Sequence, residues 1–421
     1  MKWDLALIAL AVLAVAAISR RLTNTSVTPA MAFVAIGLLL GPWVTGEIDA
    51  APTSHSVRTL AEATLAVVLF SDASGIDLRA LRREYDVPLR LLGIGLPLTI
   101  AAGLLAGGLL LRRIPLTDAV VLAVVLAPTD AALGQAVVTE PRLPSRIRQG
   151  LNVESGLNDG ICVPLLLIAL AAADARSNAT GGQHAWTVVA EQIGYGLAGG
   201  AAAGLLASAV VIAGERHRLI SDPWLPVISL AAAGLAYGLA APLGGSGFIA
   251  AFVAGLAFGG LTGHDVSSGR RLSEEVGDLL GGVTFLMFGA ILLGPALEHL
   301  QWQELVYALL SLTVVRMLPV AVAMIGSGAR PPTLGFLGWF GPRGLASIVF
   351  AVIAVDQARL PGVDTVLVTT YLTIGISVMA HGASAAPLAT RYARWSERHP
   401  PPRQPPAQSE PAVDRPARAG R

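Results

Sequence analysis

Glu154, Ser155, Asn158 and Asp159 place two carboxylates, an amide and a hydroxyl inside a hydrophobic stretch that runs from Gly150 to Ala173. At helical spacing Ser155 and Asp159 stand one turn apart on one face, and Glu154 and Asn158 one turn apart on an adjacent face. An ionised carboxylate at the centre of a bilayer costs on the order of 3 kcal/mol even on a lenient insertion scale. A membrane helix keeps such residues only where they face a partner or a water-filled cavity. The stretch reads as a site for cations or protons.

A second polar interruption lies at Ala127-Pro128-Thr129-Asp130. Pro128 lacks an N–H and clashes with the carbonyl one turn earlier, so the helix is expected to unwind there. Unwinding frees backbone carbonyls beside the Thr129 hydroxyl and the Asp130 carboxylate, an oxygen set suited to a small hard cation. Gly341-Pro342-Arg343-Gly344 offers a similar break late in the chain. Two interrupted helices at corresponding places in two halves point to a transporter with inverted repeats and a midplane site. Opposed half-helix ends bring partial charges into the membrane, where Asp130 and Arg343 could compensate them.

The rest of the chain must position these groups, and its composition is that of a membrane protein. Of 421 residues 54% are hydrophobic and 14% charged, against about 25% charged in soluble domains. The 46 Gly and 27 Pro suit closely packed, sometimes broken helices. A net charge of +1 gives no basis for a nucleic-acid partner. No nucleotide-binding loop is present, so active transport would draw on an ion gradient. The single cysteine, Cys162, allows no internal disulfide and is expected to pack as a small apolar residue. The expected fold is an all-α polytopic membrane protein. About thirteen spans of roughly 20 residues each follow one another, with centres from Ala11 to Ile374 and including Ala127, Asp159 and Ala346. Leu5 to Ile18 lacks a basic leader and a cleavage site and reads as the first span.

Arginines collect in alternate connections: Arg20 and Arg21; Arg79, Arg82, Arg83 and Arg90; Arg142, Arg146 and Arg148; Arg216 and Arg218; Arg270 and Arg271; Arg330. The other side holds Lys2, Arg58, Arg112, Arg113, Arg176 and Arg359. The richer side is cytoplasmic by the positive-inside rule, leaving the N-terminus outside and the C-terminus inside. After Tyr392 the chain turns to prolines and scattered charges, and residues 392–421 are expected to form a disordered cytoplasmic tail.

In its membrane part, residues 1–391, the sequence resembles the electroneutral cation/proton antiporters of the NhaP type, related to the animal sodium/proton exchangers. The matching residues are Leu126 to Asp130, Leu151 to Gly160, Gly245 to Ala250, the Arg316 segment and Gly341 to Gly344. The resemblance implies that Asp159 exchanges cation for proton, with Asn158 as its neutral neighbour. It places Thr129, Ser155 and Glu154 near the ion, with Asp130 beside them. It further implies that Arg316 pairs with Glu154 and that Arg343 belongs to the second broken helix. The implied assembly is a homodimer in the cell membrane, with a moving core (about 88–173 and 303–391) and a dimerisation region (about 1–75 and 187–298). Lipids would surround it, and no cofactor or organic substrate is implied.

The chemistry can also be argued from the residues. Burial disfavours a charged carboxylate, so Asp159 is expected to hold a proton near neutral pH and release it when a cation binds. Asn158 adds no second titrating carboxylate, so one proton per monovalent cation, electroneutrally, is the simplest exchange. Na+, Li+ and K+ all fit these ligand types. Glu154 either contacts the ion or serves only as the partner of Arg316. His381, inside the last apolar segment, is a packing histidine or a pH sensor, and Asp72 lines an entry funnel or is a solvated interfacial carboxylate. A cation-coupled symporter or a channel is the alternative within transport. An intramembrane aspartyl hydrolase using Asp130 and Asp159 is the alternative outside it, although Pro-Thr-Asp-Ala and Asn-Asp-Gly do not look like the motifs of such enzymes.

Overall fold

Long apolar runs broken by Pro, Gly and arginine-bearing connections give a protein built from helices, with no strand among the described residues. The computed structural model describes residues 4–22, 25–42, 44–46, 48, 55–76, 86–130, 132–138, 140–177, 182–262, 267–357 and 360–399. In chain order the helices are α1 (Asp4–Leu22), α2 (Pro29–Leu40), α3 (His55–Ser74) and α4 (Asp86–Leu110, with a wider π turn at Leu91–Gly95). There follow α5 (Leu116–Val125), a short α6 (Gln135–Val138), α7 (Ser145–Ser177), α8 (Gly182–Arg216), α9 (Leu225–Ala240) and α10 (Gly247–Thr262). Next, α11 (Ser267–Met287) continues through a π turn to Glu298, and α12 (Trp302–Ala323) breaks at Thr313. The chain ends in α13 (Pro331–Trp339), α14 (Leu345–Gln357) and α15 (Val363–Arg398). Eight of these rods are long and apolar enough to cross a membrane, and four more helices are apolar but shorter.

The helices pack in two groups. In one, α8 lies on α10, α10 on α3, and α11 on α2, α3 and α9. Gly255 and Gly259 of α10 sit directly against the backbone of α3 at Phe70 and Ser74, the close approach that small residues allow between membrane helices. In the other, α4, α7, α12 and α15 enclose the broken helices, α5 with α6 and α13 with α14. Helix α7 is central, with 67% of its apolar window buried, whereas α1 has 11% and faces outward. Cys162 is buried in the core beside Val163 and Leu166.

The break expected at Pro128 is present: α5 stops at Val125 and residues 126–130 are unwound, because Pro128 cannot continue the helix and restrains the residue before it. One expectation is corrected in detail. The shift in composition at Tyr392 does not end α15, which continues through Arg398. There Tyr392 stacks on Phe336 and on Trp395, and Trp395 on His399. Lys2, Arg79, Arg82, Arg83, Arg359 and the tail from Pro400 onward lie outside the described residues.

Candidate functional site

The two breaks cross. Residues 126–130 beyond α5 and residues 340–344 between α13 and α14 are unwound, and the Asp130 N–H donates to the Pro342 carbonyl at 2.8 Å. Each break leaves orphan backbone groups, and each is completed by the other half. The Arg343 guanidinium donates through Nη1 to the carbonyls of Ala127 (3.0 Å) and Pro128 (3.1 Å) beyond the end of α5. The Ser347 hydroxyl adds a bond to the Val125 carbonyl at 2.7 Å. In return Asp130 Oδ2 accepts the Leu345 N–H at the start of α14 (2.9 Å), and its Oδ1 accepts the Ala132 N–H (2.8 Å). A carboxylate at a helix N-terminus and a guanidinium beyond a C-terminal end both oppose the local dipole. Gly344 is required here, since a Cβ at that position would strike the Asp130 carboxylate.

Asp130 is therefore occupied with backbone groups. Asp130→Asn replaces an acceptor with an amide and removes the charge facing α14. It is expected to lower stability by about 1–2 kcal/mol, read as a lower thermal midpoint. An unchanged midpoint would show that the crossing does not depend on this charge.

Helix α7 holds the first unwound stretch by its polar face. Asn158 Nδ2 donates to Thr129 Oγ1 (2.7 Å), and Asn158 Oδ1 accepts the Thr129 N–H (3.3 Å). The Ser155 hydroxyl donates to the Thr129 carbonyl. Thr129, Ser155, Asn158 and Asp130 are thus gathered at one place. One turn from Ser155, Asp159 is 6% exposed and its Oδ1 has no hydrogen-bond partner. Asp159 and Asp130 line a cavity of about 220 Å³ with Asp72 and Ser71 of α3 and Ser273, Glu274 and Asp278 of α11. Asp72 belongs to this vestibule, and Gly156 of α7 lies beside it.

Glu154 faces away from that arrangement. Arg316 of α12 forks onto it, Nη1 to Oε1 at 2.6 Å and Nη2 to Oε2 at 2.9 Å, with both side chains buried. Gly341 packs on the Arg316 guanidinium so closely that a Cβ there would collide with it, which ties the pair to the second break.

His381 has both ring nitrogens engaged. Nε2 meets the Trp339 carbonyl at 3.0 Å, and Nδ1 lies 3.1 Å from Ser377 Oγ, which itself accepts the Arg343 N–H at 2.6 Å. His381 and Ser377 therefore brace the unwound residues 340–343. Sequence reasoning named His381 without this role and missed Ser347, Ser377, Glu274 and Asp278. The available signal was spacing: Ser377 and His381 are one turn apart on α15, and Ser347 is one turn beyond Arg343.

Comparison with known proteins agrees with this architecture. Residues 7–391 match the transmembrane family described as the sodium/hydrogen exchanger. A probable Na+/H+ antiporter of Schizosaccharomyces pombe is 25% identical over 344 residues, which cover 76% of this chain and 44% of the relative. The K+/H+ antiporter NhaP2 of Shewanella sp. (strain ANA-3) is 25% identical over 363 residues, 84% of this chain and 60% of the relative. The chain thus spans about half the length of these curated relatives. The structure of the sodium proton antiporter MjNhaP1 from Methanocaldococcus jannaschii at pH 8 superposes with a TM-score of 0.73 at 20% identity, covering 92% of this chain and 97% of that one. With a family match over nearly its whole length and the same fold, the chain belongs to the sodium/hydrogen exchanger transmembrane family.

Proposed function

We propose that the protein exchanges a monovalent cation for a proton across the cell membrane, with Asp159 as the group both ions use in turn. The observation that carries this reading is the buried Asp159 carboxylate, which keeps an oxygen without a hydrogen-bond partner and lines a cavity beside the crossing. A carboxylate so placed is stabilised by a proton or by a cation, and by one excludes the other. Ser155 Oγ, Thr129 and Asp130 supply further oxygens for a dehydrated cation. Asn158 orders Thr129 and adds no charge, and Arg343 holds the crossing. Glu154 serves as the partner of Arg316 and acts on the site through position. The hydrolase alternative falls with membership of an exchanger family.

In this reading the cavity opens to the arginine-rich, cytoplasmic side, with the N-terminus outside and the C-terminus inside. Support comes from its lining, drawn from the C-terminal end of α3 and the first turns of α11. The helices around the crossing (about 88–173 and 303–391) move as a core against α1–α3 and α8–α11, which form the dimerisation region of a homodimer. If only the singly occupied states of Asp159 cross, exchange is one for one and electroneutral. The relatives' names include both Na+ and K+; Na+ is the cation we favour.

The test is proton flux in proteoliposomes after addition of Na+, K+ or Li+, with the membrane potential clamped at several values. Cation-triggered proton movement independent of the clamp is expected. Reversal of transport by voltage alone would overturn the one-for-one exchange, and no flux with any cation would overturn the antiport.

A further inference from the structure

Helix α15 is longer than the membrane it crosses. Its 36 residues extend about 54 Å at 1.5 Å each, whereas a bilayer with its headgroups is about 40–45 Å thick. Counted from Val363, the far headgroup level falls near Thr390. Just there Arg391, Arg394 and Arg398 stand at i, i+3 and i+7, on one face, and all three are exposed. Among the described residues no carboxylate is bonded to any of them. Glu397, on the same turn, interacts electrostatically with Arg142.

These arginines form one wall of a groove of about 830 Å³, whose other wall is Thr25 and Ser26 in the α1–α2 connection, with Trp395 and His399 at one end. The Thr25 hydroxyl is used locally, donating to the Leu22 carbonyl at 3.0 Å and accepting the Val27 N–H at 3.2 Å. One turn before Ala386, which also lines the groove, Gly382 lets α15 approach Met31 and Thr28 closely. Helix α1, which leads into the Thr25 turn, presents exposed Leu13 and Ile18 and ends in exposed Arg20 and Arg21.

We propose that this groove binds the phosphate headgroup of an anionic phospholipid in the arginine-rich leaflet. Guanidinium groups match phosphate oxygens in pairs, and three of them share one helix face beside the groove. The depth of the groove favours a lipid over a soluble anion, because its arginines are at headgroup level and apolar surface of α1 leads away from it. Trp395 is of the residue type that settles at that interface. The lipid would lie across α1–α2 and α15, joining the two packed groups at their edge.

The test uses the full chain and the variant R391Q/R394Q/R398Q, each reconstituted in phosphatidylcholine vesicles with and without phosphatidylglycerol. Phosphatidylglycerol that stays with the protein after detergent extraction is counted by mass spectrometry. The wild type is expected to retain it in preference to phosphatidylcholine, and the preference should fall roughly fivefold for each arginine removed. Arg394→Gln alone, expected to lower it about fivefold, serves should the triple variant not fold. Cation-driven proton flux in pure phosphatidylcholine should be the same for variant and wild type. Retention by the variant equal to the wild type would overturn the proposal. So would displacement of the lipid by inorganic phosphate alone, which would make the groove a general anion site. Retention seen only after truncation beyond His399 would also overturn it, since the tail would then be the occupant.

Discussion

Asp159→Asn is expected to abolish cation-driven proton flux while leaving the protein folded. The substitution keeps the size of the side chain and removes a cavity carboxylate whose buried Oδ1 has no hydrogen-bond partner. A buried cation that loses its counter-charge loses about 3–5 kcal/mol, a factor of roughly 100 or more in affinity. The amide also has no proton to release, so the second half of the exchange fails with the first. Stability should hold or rise, because no bond to Asp159 Oδ1 is broken and a desolvated charge is removed. The measurement is initial proton flux in vesicles together with the thermal midpoint in detergent. Robust flux in the variant would take Asp159 out of the centre of the mechanism. Loss of flux together with the fold would leave its role to be decided by Asp159→Glu, which keeps the charge.

The largest expected effect on folding belongs to Glu154 and Arg316. Their two-point contact, 2.6 and 2.9 Å, is buried on both sides, so removing one partner strands the other charge away from water. Glu154→Gln or Arg316→Gln is each expected to cost about 3–5 kcal/mol, seen as a large fall in thermal midpoint and in folded yield. The double change Glu154→Gln with Arg316→Gln should be better tolerated than the sum of the singles, because it strands neither charge. If the double variant is as damaged as that sum, the two residues act independently and the pairing contributes nothing. Transport in any folded double variant would further separate pairing from ion contact, since a Glu154 that touches the cation could not be replaced without loss of flux.

Much of this was legible in the sequence because cost marks function inside a membrane. Asp159, Glu154 and Asp130 stand out against apolar neighbours, and Pro128 and Pro342 announce the breaks through backbone chemistry that holds in any fold. The all-helical architecture follows from composition and span length for the same reason. What the sequence could not give was partnership across long separations. Asp130 has the residue type of a cation ligand, and only the crossing shows that it receives the N–H of Leu345. Ser347 and Ser377 are ordinary residues until their neighbours are known. Glu274 and Asp278 open an amphipathic helix and look solvated, yet they line the cavity with Asp159. The end of α15 was misplaced because composition reports polarity, and a helix can leave the bilayer and still be held by stacked rings at Tyr392 and Trp395.

The reciprocal crossing also bears on how the chain is made. Asp130 and Leu345 are 215 residues apart, and Arg343 is 216 from Ala127, so the first half enters the membrane long before its complement exists. Until then the end of α5 holds bare carbonyls and Asp130 an unopposed charge, both costly in hydrocarbon. The nascent first half must stay near the bilayer surface, in the insertion machinery or in a wet, loosely packed form. Closure of the crossing is then a late event in assembly, with the loop-closure entropy of a long connection to overcome. A chain halted between α11 and α12 should accordingly be a target for membrane quality control even though its helices are apolar enough to insert.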